Sequence, residues 1–372
     1  MSERSIIQAT LWNSPYLGNV MMSQLALARA VRTTLGLSTH FVLADGAAGH
    51  PWLADLEAAE TTWSVLPPGH GWRAHLDRVI EEHGGALVHT HFTEADLSGA
   101  RAARAAGIPC VWHVRTGFSG YPARQRLKDL VKLRIVARRD VAAIVAVSPW
   151  LAELLRGRGA PSDRVETIQN AIVLERFDRM PSREAARERF GLAGDSDVVL
   201  ALGWWPEVKG VDVLLDALEQ IAERHPRMQA LLVGEESMRT FLARRQPPPP
   251  SWVRVSGFVE DAAWLYAAAD AFVSASRHEG QSSAIGEAIG CGLGVVMSDI
   301  PGTSGWGAAP HAAMFPSEDS DALAEQLDRL LAASPEARAN AGDENRAWAR
   351  GSAGIDSWCA QLCALYERLV GD

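Results

Sequence analysis

The sequence predicts an α/β protein of two doubly wound, Rossmann-like domains, each on a parallel sheet. Three observations predict it. Short apolar runs alternate with amphipathic helical stretches along the chain, 372 residues are too many for one ordinary core, and a charged linker interrupts the alternation near the middle.

In the first half, residues 6–11, 40–44, 62–66, 86–92, 110–114, 142–147 and 165–169 are apolar runs short enough to be buried strands. Between them Met21, Leu25 and Ala28, and later Leu76, Val79 and Ile80, repeat at helical spacing. Asp178-Arg179-Met180-Pro181-Ser182 and the charged residues 183–189 read as a linker entering a short helix. The second half repeats the pattern, with strands expected at 198–202, 230–233, 253–256, 271–274 and 295–297. Its clearest helix follows Lys209 and aligns Val211, Leu214, Leu215, Leu218, Ile221 and Ala222 on one face. Pro247 to Pro250 cannot continue a helix and forms a surface connection. An apolar-faced helix ends the chain. The expected domains are therefore 1–180, 181–355 and a terminal helix, 356–372. Ligands of doubly wound sheets sit beyond the carboxyl ends of the strands, so two facing domains predict a central cleft.

Composition excludes several function classes. The chain is 47% hydrophobic and 22% charged, as in globular proteins, and no stretch approaches the ~20 apolar residues of a membrane-spanning helix. Met1-Ser2-Glu3-Arg4-Ser5 lacks the basic start and long apolar centre of a secretion signal. Cys110, Cys291, Cys359 and Cys363 form neither a disulfide framework nor a zinc pattern, so reduced thiols and a cytoplasmic location are expected. A net charge of −9 argues against nucleic acid as a partner. One basic segment departs from it, with Arg124, Arg126, Lys128, Lys132, Arg134, Arg138 and Arg139. It is either a solvated helix face or a peripheral contact with the inner face of an anionic membrane.

The most informative stretch runs from Ser276 to Gly292. Glu279 falls in a strand-to-helix loop, Glu287 lies within the helix, and Gly280, Gln281, Ser282 and Ser283 expose backbone amides near the helix N-terminus. Such amides favour an anion, and carboxylates suit hydroxyl-rich groups. Before it, Leu202-Gly203-Trp204-Trp205-Pro206-Glu207-Val208-Lys209-Gly210 is a strand-end glycine turn with a lysine opening a helix. Leu231-Leu232-Val233-Gly234-Glu235, Val255-Ser256-Gly257-Phe258-Val259 and Asp270-Ala271-Phe272-Val273-Ser274-Ala275-Ser276 complete the set.

In this order the motifs resemble the retaining glycosyltransferases of family four, which have the GT-B fold and two glutamates separated by seven residues. The resemblance implies two Rossmann-like domains facing a cleft, the first binding the acceptor and the second a nucleotide-diphosphate sugar. It implies that Glu279 binds donor-sugar hydroxyls, Gly280 to Ser283 serve sugar and phosphate, Glu287 holds the ribose and Lys209 the diphosphate. Gly257 and Val259 would meet the base. Ser14-Pro15-Tyr16-Leu17-Gly18-Asn19-Val20 resembles the first-strand loop, with Gly18 letting ligands approach the backbone. His113, in Trp112-His113-Val114-Arg115, corresponds to a residue touching the donor sugar at the reaction centre. Asn170 to Phe177 resembles the stretch before the linker. Trp204 stands where the family carries an arginine, a missing cation that Arg277, His278 or Arg115 would supply. Ala275 and Gln281 are also departures.

These features predict a metal-independent hexosyltransferase moving a hexose or N-acetylhexosamine, from a UDP-sugar in the first instance, to a hydroxyl of a glycan, lipid-linked glycan or small molecule. No cofactor is expected. His89 and His91 invite a metal reading, but the sequence offers no third ligand at suitable spacing. Asp195-Ser196-Asp197 and Asp319-Ser320-Asp321 match a metal-binding string, yet lead into a strand and a helix, where Asp and Ser are turn and cap residues. The alternatives are a nucleotide-sugar epimerase of similar architecture, which would need acid and base carboxylates, and a non-catalytic nucleotide-sugar-binding protein.

Overall fold

The computed structural model describes residues 4–14, 16–91, 93–115 and 132–371. Pro15, Phe92, Arg124, Arg126 and Lys128 lie outside them. The chain divides into two compact units, Met1–Ala171 with Ile355–Asp372, and Ile172–Gly354. The first division thus precedes the charged linker, because Ile172, Leu174 and Phe177 are buried in the second unit's core rather than lying exposed before it.

The first unit holds seven parallel strands: β1 (Ser5–Thr10), β2 (Ser38–Leu43), β3 (Thr62–Val65), β4 (Gly85–His91), β5 (Cys110–Val114), β6 (Ala143–Ala146) and β7 (Val165–Thr167). Their order is β3-β2-β1-β4-β5-β6-β7, so the winding reverses between β1 and β4. The helix Gly18–Leu35 follows β1, and the terminal helix Ile355–Gly371 packs against it. Cys359 and Cys363 lie buried on that terminal helix, and all four cysteines are free. Burial pushes the Cys359 thiol up to about 12, so it packs as a neutral side chain.

The second unit has six strands, β8 (Asp197–Leu202), β9 (Met228–Val233), β10 (Val253–Ser256), β11 (Ala271–Ser274), β12 (Gly294–Asp299) and β13 (Ala312–Pro316). They are parallel, in the order β10-β9-β8-β11-β12-β13, with the reversal between β8 and β11. Alternate residues feed two cores. Val198, Leu200, Leu231, Val233 and Phe272 enter one, while Val199, Ala201, Ala230, Leu232 and Val273 enter the other. A sheet covered on both faces needs continuous apolar strands rather than alternating ones, which is how these segments read. The helix Val211–Ile221 buries Val211, Val213, Leu214, Leu215, Ala217, Leu218 and Ile221 on one face; each larger aliphatic side chain contributes about 1.5–3 kcal/mol.

No helix among the described residues is long and apolar enough to cross a membrane.

Candidate functional site

In the second unit the loops after β8 and β11 emerge side by side at the reversal, where a doubly wound sheet opens a crevice. The first carries Lys209 and the second Glu279. Lys209 Nζ lies 2.5 Å from Glu279 Oε1, and the same oxygen accepts from Ser276 Oγ at 2.9 Å. Gly210 makes this approach feasible. Its φ is +63°, and a Cβ there would sit 2.1 Å from the Ala275 carbonyl oxygen. On the other side of the loop, a Cβ on Gly302 would fall 2.2 Å from the Glu279 carbonyl oxygen, so this glycine lets the two backbones touch.

Glu279 leads directly into the helix Ser283–Gly290. Gly280, Gln281 and Ser282 are buried, Ser282 provides no side-chain cap, and no acidic residue stands in the first turn. The positive end of the helix is thus unneutralised by its own sequence. Glu287, deeper in this helix, accepts from Tyr266 Oη at 2.8 Å and pairs with Arg176 at 3.4 Å. Burial raises its pKa, while Arg176 and the Tyr266 hydrogen bond oppose that rise. Gly257 and Val259 follow β10, the sheet's edge strand, and Val259 belongs to the core.

Arg277 is not a spare cation beside Lys209. It binds Asp212 at 2.7 Å and Glu318 at 2.8 Å, and also donates to the Glu207 carbonyl. His278 is exposed, and Trp204 packs half-buried against the core. The two Asp-Ser-Asp strings are structural. Asp197 opens β8 and pairs with Arg338 at 3.0 Å, and Asp319 caps the helix Ser320–Ala332 by accepting from the Ala322 amide at 2.9 Å.

In the first unit, Gly18 opens the first helix with φ +58°, and His113 is the penultimate residue of β5. The third histidine absent from local spacing comes from the sheet. His91 and His113 are register partners on adjacent parallel strands, and His89 lies two residues before His91 on the same side. The three rings stand 4.4, 5.2 and 5.3 Å apart, so the expectation of no convergent third ligand is corrected. Their ligating atoms lie within 4.8 Å of one another. Yet His89 and His113 stack with planes 7° apart, and a nitrogen lone pair lies in its ring plane, so these two cannot aim at one ion without turning. Gln8 Oε1 accepts from His91 Nε2 at 2.8 Å, Gln8 Nε2 donates to Tyr366 Oη at 3.1 Å, and that hydroxyl bonds His89 Nδ1. Burial makes all three imidazoles weak bases, His89 down to about 3, and the Arg115 charge lowers them further.

The family pattern described as Glycosyltransferase Family 4 matches residues 42–176, and that described as Glycosyl transferases group 1 matches residues 196–333. The chain belongs to the family-four glycosyltransferases. It is 28% identical over 243 residues to mannosylfructose-phosphate synthase of Agrobacterium fabrum, covering 57% of this chain and 53% of that protein. It is 26% identical over 239 residues to the UDP-Gal:alpha-D-GlcNAc-diphosphoundecaprenol alpha-1,3-galactosyltransferase of Escherichia coli, covering 62% of each. The chain thus matches about half to three fifths of the length of these relatives. The structure of Anabaena HepE in complex with UDP and glucose superposes with a TM-score of 0.82 at 20% identity, covering 98% of this chain and 100% of that one. The architecture is GT-B, two parallel-sheet Rossmann-like domains. Within this glycosyltransferase-family chain the structure brings Lys209, Glu279 and the 280–283 amides to one sheet reversal and sets Glu287 among Tyr266 and Arg176. Local sequence gave no signal for Ser276, Tyr266 or Arg176, because their partners lie 3, 21 and 111 residues away with no spacing rule.

Proposed function

We propose that this chain is a retaining, metal-independent glycosyltransferase that moves a hexose or N-acetylhexosamine from a nucleotide-diphosphate sugar, UDP-linked in the first instance, to a hydroxyl acceptor. The observation that carries the reading is the Lys209–Glu279 pair at the β8/β11 reversal, beside an uncapped helix N-terminus. Without ligand the two side chains neutralise each other. A bound donor replaces both halves of the pair, its phosphate drawing the ammonium and its sugar hydroxyls the carboxylate. Glu287 takes the ribose hydroxyls, Gly257 and Val259 meet the base through the backbone, and Gly18 and His113 serve the reacting sugar.

Glu279 is assigned to remote hydroxyls, which leaves no side chain as nucleophile. The acceptor hydroxyl therefore attacks on the face the diphosphate leaves. The anomeric carbon–phosphate oxygen bond breaks, the anomeric carbon–acceptor oxygen bond forms, and the acceptor proton passes to the departing phosphate. The relatives named for sugar-phosphate and lipid-linked glycan products support a hydroxyl acceptor on a glycan or a small sugar.

Titration of UDP, GDP, ADP and dTDP in the presence of chelator, followed by heat or by thermal stabilisation, tests the donor site. One nucleotide is expected to bind, and Lys209→Ala to weaken it by roughly 10- to 100-fold, the worth of a charge-assisted hydrogen bond. Binding that needs a divalent ion, or that ignores Lys209, would sink the reading. The anomeric configuration of the product, read by NMR, tests retention.

A further inference from the structure

Arg115 directly follows β5, two residues after His113, and is only 9% exposed. Its Nη1 donates to Asn170 Oδ1 at 2.7 Å, and its Nε and Nη2 have no partner. Asn170 is neutral, and no carboxylate is paired with Arg115 among the described residues. A guanidinium presents five donors and stays charged, so leaving two of its nitrogens and its whole charge uncompensated in the interior is costly. The groups around it are equally unfinished. Both nitrogens of His113, Nε2 of His89 and Nδ1 of His91 are buried without partners. Gln8 Oε1 fixes the hydrogen of His91 on Nε2, leaving Nδ1 as a lone pair, whereas His113 is free to present an N–H from either nitrogen.

Arg187, the other arginine buried to this degree among the described residues, is matched, meeting Asp270 at 2.7 Å and two carbonyl oxygens. Arg115 lies instead at the carboxyl end of the sheet, on the strand next to the β1/β4 reversal, where this fold places ligands. A dication is a poor occupant, since it would add to an unbalanced positive charge. An anion completes the set. Two parallel N–H donors from one guanidinium edge match the oxygens of a phosphate or carboxylate, and the His113 N–H supplies a third.

We propose that Arg115 and His113 form an oxyanion site in the first unit that takes a phosphate or carboxylate group carried by a substrate. Assigning that group to a substrate rests on the transferase reading; the oxyanion site itself does not. The group belongs either to the acceptor or to the donor diphosphate, and the two sources differ in competition with nucleotide.

The full chain is titrated with inorganic phosphate at constant ionic strength, with and without saturating UDP, as wild type and as Arg115→Gln and Arg115→Lys. Wild type is expected to bind phosphate, Arg115→Gln to bind it at least tenfold more weakly, and Arg115→Lys to recover part of the loss. Phosphate that persists under saturating UDP assigns the group to the acceptor, whereas displacement by UDP assigns it to the donor. Because Arg115→Gln removes an uncompensated buried charge, the ligand-free variant is also expected to melt about 2–4 °C higher. Absence of phosphate binding in wild type, an affinity unchanged in Arg115→Gln, or a lower melting temperature for that variant overturns the proposal. Failure of every nucleotide to bind, with phosphate binding still lost in Arg115→Gln, would remove the transferase reading and leave the oxyanion site standing.

Discussion

At the scale of single residues, the candidate site of the second unit depends on backbone clearance as much as on charge. Lys209 reaches Glu279 because Gly210 turns the chain at φ +63° against the Ala275 carbonyl, with no room for a methyl group. Gly210→Ala therefore meets two obstacles, an unfavourable dihedral and an overlap with backbone oxygen that no rotamer relieves. It should cost the second unit about 1–3 kcal/mol and weaken nucleotide binding well beyond that loss of stability, since the loop holding Lys209 must shift. Denaturant unfolding together with nucleotide titration separates the two effects. Stability and affinity both matching wild type would show that the loop adapts at no cost. Chemical types were legible at this scale, because a lysine after a strand-end glycine and a glutamate before a helix both show in the primary sequence. Their partners were not. Tyr266 and Arg176 around Glu287, and the orphan donors of Arg115, depend on which chain segments meet.

At the scale of elements, twelve of the thirteen strands read directly from apolar runs, because sheets covered on both faces demand uninterrupted hydrophobic segments. The missed strand, β13, is Ala312–Pro316, whose two alanines and terminal proline carry little strand preference; it pairs only with β12, at the sheet edge. The third histidine escaped for a related reason, since spacing within one strand says nothing of the register between β4 and β5. The amino end of the second sheet is likewise tied by a contact no local pattern announces. Asp270 accepts from the Val198 amide and from Arg187, both at 2.7 Å, and also meets the more exposed Arg183. Arg187 and Asp270 have side chains only 3% and 5% exposed, so their energetic weight lies in what remains when one is removed. Asp270→Asn should leave Arg187 buried without a counter-charge and cost about 3–5 kcal/mol. Arg183→Ala, on the exposed side, should cost at most about 1 kcal/mol. Hydrogen exchange in β8 and β11 reads both variants, and equal losses would contradict this ranking.

At the scale of the whole molecule, the two units share a topology but should respond differently to acid. His40, His89, His91 and His113 are each no more than 2% exposed, and all four lie in the first unit. Burial lowers every one of them, His40 and His89 to about 3, with His83 and His75 adding to the effect at His40 and Arg115 at His89. In the second unit His225 instead lies 2.8 Å from Asp328, and His311 lies 3.0 Å from Glu344 at the surface. For a base whose folded pKa falls below its unfolded value of 6.5, the unfolded chain binds the proton first. Its contribution is then fully present above 6.5 and is lost as pH falls from there towards 3. Between pH 7 and pH 5.5, His40 and His89 together should remove roughly 2–3 kcal/mol from the first unit, with His91 and His113 adding to the loss. Protection of β1 and β4 amides should therefore fall across this interval while that of β8 and β11 changes much less, after correction for the intrinsic exchange rate. His89→Gln should flatten the slope. A parallel fall in both units would place the acid sensitivity elsewhere, in the carboxylate pairs that the two units share as a class. A fall confined to the first unit would mean that its buried, neutral histidines are what makes that unit sensitive to acid.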